Sequence, residues 1–392
     1  MKFSEALSLE GATDRAANEL CETVNRGLPG DPADLGFLFF TNHHSAAAGD
    51  AARAIREHTG VRHLVGCAAE SVIGGGREIE HEPAMSLWLG SLPGLRLQSF
   101  RLESRETPDG LCFPFSPENL FDAVAPGAAL LFLGDSFSMP GDQYLRRFNE
   151  DHPGIPVIGG MASGARAPGE NILLFDGQEV REGAVGVLVS GPVRVTPVVS
   201  QGCRPVGEPL VVTECDRNSI LKLGGRPALA RTQEIFSALS EGDRRLFRSA
   251  PHIGVAMTEN RPRFGPGDFL IRNLVGVDQA RGAVFISDYL RRGQTIQFHV
   301  RDGQAADLDL RALLRHERDT AGGGPARGAL LFSCNGRGSR MFPGPDHDVS
   351  AIREELGPIP VAGFFAHGEL GPVGGSNHLH GFTASIALFS EP

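Results

Sequence analysis

The chemistry of this 392-residue chain concentrates at Cys334-Asn335-Gly336-Arg337-Gly338. The segment ends an apolar run, Ala329 to Phe332, as a buried strand ends in a glycine-rich turn. Asn335 offers donors and an acceptor, and Arg337 a planar fork matched to a carboxylate. Gly336 and Gly338 let the backbone approach a bound group closely. A second apolar run, Val361 to Ala366, ends in His367-Gly368-Glu369. The Glu369 carboxylate either receives a ligand's amino group or pairs with Arg337. An amino-acid-like zwitterion fits an Arg and a Glu at neighbouring strand ends, and a plain ion pair fits equally. Cys334 is alternatively a nucleophile of a hydrolase or transferase, its pKa lowered by Arg337 and the turn, with His367 or His380 as base. The commoner role of a free cysteine is a small buried hydrophobe.

Other candidates are more isolated. Glu70 follows Gly66-Cys67 at a place like that of Glu369, and Ser163 is its nearest counterpart farther on. Asn377 and His380 lie in the last loop before the C-terminal run. Arg272 sits in the β-type run Phe269–Leu274, where an inward side chain must be paired or bind an anion. His378 and His380, with Asp346-His347-Asp348, match no strong metal template, so no metal and no cofactor are expected. Gly74-Gly75-Gly76 lacks the strand–helix context and the Lys of a phosphate loop.

The elements that position these residues recur. Gly36–Phe40, Ala128–Leu133 and Ala329–Phe332 are apolar runs, each followed by polar turn residues and a helix-like segment. The next runs end at Gly66, Gly159 and Gly363, and Ser86–Leu89, Ala184–Val189 and Ala384–Phe389 come third. This is a repeated strand–helix–strand–loop–strand unit, with ligands expected at strand C-termini. Residues 3–27 read as a surface helix, Met85–Leu102 as a hairpin or bent strand pair, and Pro117–Val124 as a short helix. Residues 208–303 are β-rich, with a helix near 227–239, and Gly322–Pro325 reads as a sharp loop. The expected fold is α/β (α+β), two closely packed halves built from repeated strand–helix–strand units with a β-rich insertion, divided as 1–205 and 206–392.

The net charge of −10, with no basic cluster, argues against nucleic acid as a partner. Six cysteines without a C-x-x-C pair read as reduced thiols. There is no signal-peptide pattern and no apolar run of membrane-spanning length. The expected location is cytoplasmic, and the expected partners exclude membrane.

These segments resemble the FIST family, named for F-box and intracellular signal transduction. F-S-C-N-G-R-G at 332–338, V-A-G-F-F-A-H-G-E-L-G-P at 361–372 and H-G-F-T at 380–383 look like its C-terminal half. G-D-F-L-I-R-N-L-V-G-V-D at 267–278 and G-Q-T-I-Q-F-H-V-R-D at 293–302 match that half too. L-V-G-C-A-A-E-S at 64–71 and P-V-I-G-G-M-A-S-G at 156–164 resemble its N-terminal domain. The resemblance implies an intracellular sensory module for a small ligand such as an amino acid. With no room for an output domain, signalling would pass through a separate protein. The ligand shell then expected is Glu70, Arg272, Cys334, Asn335, Gly336, Arg337, Gly338, His367, Glu369, Asn377 and His380. A protein-interaction scaffold without a small ligand is a further alternative.

Overall fold

The computed structural model describes residues 1–108, 110–122, 124–125, 127–259, 263–265, 267–320 and 324–392. The expected loop at Gly322 and Gly323 lies outside them. The chain divides into two compact units. The first holds residues 1–200, 310–379 and 383–392, and the second holds 201–309 and 380–382.

The first unit is built from three like repeats. The first comprises β1 (Lys2–Ser8), α1 (Thr13–Gly27), β2 (Leu35–Thr41), α2 (Ala48–Thr59), β3 (His63–Ala69), β4 (Ser71–Gly74), β5 (Arg77–Glu80) and β6 (Met85–Ser91). The second begins with β7 (Arg96–Leu102), then the short strands β8 (Arg105–Thr107), β9 (Gly110–Cys112) and β10 (Phe115–Ser116). It continues with β11 (Ala129–Asp135), α3 (Gly141–Asp151), β12 (Val157–Ala162), β13 (Leu173–Phe175), β14 (Gln178–Val180) and β15 (Ala184–Ser190).

The third repeat opens with β16 (Arg194–Gln201) and is then interrupted by the second unit. That unit contains β17 (Cys203–Asp216), β18 (Ser219–Leu223), β19 (Arg226–Pro227), α4 (Ala228–Ala238), α5 (Glu241–Ser249), β20 (Pro251–Ala256), β21 (Phe269–Asp278), β22 (Ala283–Ile286) and β23 (Thr295–Arg301). After α6 (Gly303–Thr320) the repeat resumes with β24 (Gly328–Cys334), α7 (His347–Leu356), β25 (Val361–Ala366), β26 (Glu369–Val373), β27 (Ser376–His380) and β28 (Thr383–Ser390).

Each repeat sheet has the same order: β1-β6-β2-β3, β7-β15-β11-β12 and β16-β28-β24-β25. In each, the two strands flanking the crossover helix are parallel and the returning strand is antiparallel. Each sheet is completed by a hairpin from another repeat: β13-β14 on β3, β4-β5 on β25, β26-β27 on β12. The exchange closes a ring. The central strands are buried throughout and apolar up to their last residues, because both faces are covered. Phe39 lies 5.2 Å from Phe364 and 6.4 Å from Phe332, so the core is shared between repeats.

The three recurring glycines have one cause. Gly66, Gly159 and Gly363 pair with Leu38, Phe132 and Leu331 across the parallel strands. A Cβ at any of them would sit 2.0, 1.8 and 1.8 Å from the partner's carbonyl oxygen. Only glycine allows that approach.

The structure departs from the sequence reading in three places. Residues 3–8 belong to β1, whose burial alternates, so the helix begins only at Thr13. The spacing of Ala6 and Leu9 fits a helix and misled the reading. Met85–Leu102 is two strands in different sheets, β6 on β2 and β7 on β15. Pro117–Asp122 form turns, not a helix.

In the second unit, strands run β17-β23-β20-β21-β22-β18, and β17 pairs back on β18, closing an antiparallel barrel. Val212, Ile220, Ile253, Val284, Ile296 and Phe298 fill it.

Candidate functional site

The tips of the parallel strands converge on polar side chains. Four residues beyond Gly66, Gly159 and Gly363 stand Glu70, Ser163 and His367. All three line one cavity of about 470 Å³, with Asn42 and His43 after β2 and Arg166 after β12. This is the carboxyl end of parallel strands, where α/β sheets place ligands.

Ser163 is buried and ties the repeats together. Its Oγ accepts the Glu70 N–H at 2.9 Å and donates to the Phe365 carbonyl. Its own N–H donates to Ala68 O at 3.3 Å, and the His367 N–H donates to Met161 O at 3.0 Å. Glu70 is half-buried and ion-paired with Arg340, which also donates to Asn335 O at 2.8 Å. His367 is exposed at the rim. Loss of water around its ring lowers its pKa, with Glu70 raising it and Arg340 lowering it in turn. The imidazole is therefore mainly neutral at pH 7. Arg166 is exposed, and its N–H donates to Glu170 at 3.4 Å.

The Cys334–Gly338 turn lies at the tip of β24, with the Asn335 N–H donating to Ala366 O at 3.0 Å. Instead of presenting an open fork, Arg337 is fully buried in a bidentate pair with Asp348, both bonds 2.7 Å. Asp348 also accepts Ser333 Oγ at 2.7 Å and lies 2.9 Å from His347 Nδ1. Burial works against this charge, but Arg337 holds the carboxyl well below the usual range. The fork therefore meets an acid eleven residues away in sequence, not Glu369. Gly338 has φ 58°, and a Cβ there would meet Glu80 Oε1 at 2.6 Å.

Glu369 is fully buried, and its Oε2 accepts the Thr383 N–H at 3.1 Å and hydroxyl at 2.8 Å. Burial pushes its carboxyl up to about 8, so it is mostly neutral at pH 7. Asn377 is buried away from the cavity. It accepts the Val157 N–H at 2.8 Å at the opposite end of β12 and donates to Ile155 O and Asn149 Oδ1, each at 2.9 Å. Arg272 and His380 belong to the second unit, and Arg272 pairs with Asp288 at 2.7 Å. Of the residues singled out in sequence, Glu70, Ser163 and His367 share the cavity, and the β24 turn adjoins it through Arg340. Asn42, His43 and Arg166 were missed. Asn42 and His43 directly follow the first repeated apolar run, so the repeat itself held the signal.

Among the described residues no group of three or more His, Cys, Asp or Glu side chains is placed to hold a metal ion. No described helix is long and apolar enough to cross a membrane. The second unit has its own cavity of about 340 Å³ beside Cys203, Phe269, His299 and Leu308. Arg204 at its edge is committed to Asp243 and to Asp302, the latter at 2.6 Å.

Comparison with known proteins agrees with the motifs. The FIST N domain matches residues 34–226 and the FIST C domain matches 228–372. The "Uncharacterized protein Mb0898c" of Mycobacterium bovis (strain ATCC BAA-935 / AF2122/97) is 43% identical over 378 residues, 96% of each chain. The "Uncharacterized protein Rv0628c" of Mycobacterium tuberculosis (strain ATCC 25618 / H37Rv) is 42% identical over 392 residues, the whole of both.

Proposed function

The chain belongs to the FIST family, whose domains are associated with sensory signal transduction, and from that premise we propose that it is a cytoplasmic sensor of an amino-acid-like ligand that signals through a separate protein. The observation that carries this reading is the cavity at the strand tips, where Glu70 and Arg166 put opposite charges on one hollow. A carboxylate suits the Arg166 guanidinium. An ammonium suits Glu70, which exchanges its Arg340 partner for it. Ser163 holds the floor, and the neutral His367 serves as donor or acceptor.

The fit is electrostatic rather than catalytic. The Ser163 hydroxyl is spent on two backbone groups of other repeats, so it is not poised to attack. Binding at this point touches all three repeats at once, which suits a readout through a change in their packing.

The test is isothermal calorimetry of the full chain against the standard amino acids. A saturable heat for at least one of them, lost in Glu70→Gln and Arg166→Ala variants that keep their thermal midpoints, supports the proposal. Absence of heat across the set opposes it.

A further inference from the structure

We propose that Cys334 is a covalent acceptor for α,β-unsaturated carbonyl compounds and that Glu369 supplies a proton to the adduct. Neither the ligand cavity nor the sensory role is needed for this step. Three features of the β24 tip carry it.

The first is the sulfur itself. Cys334 is partly exposed, whereas Cys21 and Cys67 are buried. The Gly336 N–H donates to its Sγ at 3.4 Å. A thiolate is the nucleophilic form, and donors around sulfur favour it.

The second is the acid beside it. Glu369 is fully buried, and both bonds from Thr383 fall on Oε2. Its Oε1 has no hydrogen-bond partner, and the Cys334 side chain lies close enough to the carboxyl to lower its pKa. Burial raises this carboxyl to about 8, near the range of a thiol. The carboxyl is therefore protonated in most molecules at pH 7 and is available as an acid beside the sulfur.

The third is a set of unused donors. Arg337 is fully buried, yet its Nη1 has no hydrogen-bond partner. The side-chain amide of Asn335 also has none on either atom. Buried polar atoms without partners are rare in folded proteins. A carbonyl or carboxylate oxygen at this turn satisfies the nitrogen donors and polarises a conjugated double bond.

The step balances without an oxidant or a leaving group. The Cys334 thiol gives up its proton to solvent. The Sγ–C bond forms at the β-carbon, and the π pair moves to the α-carbon through the enolate. Glu369, neutral at pH 7, then protonates the α-carbon and recovers a proton from solvent. The net change is addition of S–H across C=C.

The probe is acrylamide, reacted with the full chain at pH 7 and followed by peptide mass mapping. Cys112, Cys203 and Cys215 are partly exposed and serve as references within the same molecule. Cys334 is expected to react at least tenfold faster than each of them. In Glu369→Gln that rate should fall at least fivefold with the references unchanged. An equal or slower rate at Cys334, or an unchanged rate in Glu369→Gln, overturns the proposal. If Glu369→Gln does not fold, the 240 nm absorbance difference between the native chain and Cys334→Ser decides. Thiolate at pH 7 well above the few per cent of an ordinary thiol supports the proposal, and an ordinary fraction overturns it.

Discussion

The Ser163 hydroxyl accepts the backbone N–H of Glu70 at 2.9 Å, joining the second repeat to the first. The same oxygen donates to Phe365 O in the third. One small side chain thus links all three strand tips beneath the cavity. Ser163→Ala leaves a donor and an acceptor unpaired in a buried place. Each costs about 1–3 kcal/mol, so urea unfolding should show a loss of about that size or somewhat more. A loss near zero would mean that water replaces the hydroxyl.

The close-packed glycines make a sharper claim. Gly363→Ala puts a methyl 1.8 Å from Leu331 O, and Gly159→Ala does the same against Phe132 O. Backbone cannot swing aside as a side chain can. Both variants should be destabilised by more than about 4 kcal/mol, beyond the ordinary range of point substitutions. Gly30→Ala, at a turn with open space around it, is the control. Its φ of 74° costs about 1 kcal/mol. Soluble yield and thermal midpoint are the readouts.

The Arg337–Asp348 pair is structural, and removing one partner strands the other. Arg337→Met should cost about 3–5 kcal/mol by urea denaturation. Arg337→Met with Asp348→Leu should recover much of that loss. A double variant as unstable as the single would show that the other groups on Asp348 matter more.

The two units should respond to pH in opposite directions. In the second, His252 and His299 are buried directly opposite each other on β20 and β23. Each lies with Nδ1 against a carbonyl, at 2.8 and 3.0 Å. Burial lowers both to about 4. The unfolded chain takes up these protons first, so stability is full above about pH 6.5 and falls as the pH drops toward 4. In the first unit, burial raises Glu369 and Glu78 to about 8. Here the folded state holds protons that the unfolded chain has released, so stability falls as pH rises from about 4.5 to 8. Hydrogen exchange, corrected for intrinsic rates, should show β20 and β23 losing protection at pH 4.5. The β26 peptides should lose it at pH 8.5, and Glu369→Gln should flatten that second trend.

The repeats were legible in sequence because strands covered on both faces must be apolar throughout and end abruptly. Phe37–Phe40, Leu130–Leu133 and Leu330–Phe332 announce themselves this way. The glycines marked the second strands for a steric reason that pattern alone reveals. The hairpin exchange was not legible: β4 and β26 are short, and nothing local says which sheet an apolar pair will join. The Arg337 partner was missed for a like reason. Asp348 opens α7 with no apolar signal of its own, while Glu369 drew attention by ending a strand. Glu70 and His367 were found because they stand at equivalent strand ends, and Arg166 escaped because it lies in a loop beyond one.

The most direct test is calorimetric titration of the wild-type chain and of Glu70→Gln with the amino acid giving the strongest heat. The wild type should bind it saturably, and the variant should lose at least tenfold in affinity, with thermal midpoints matched. Equal affinity in the two proteins, or no binding by either, would contradict it.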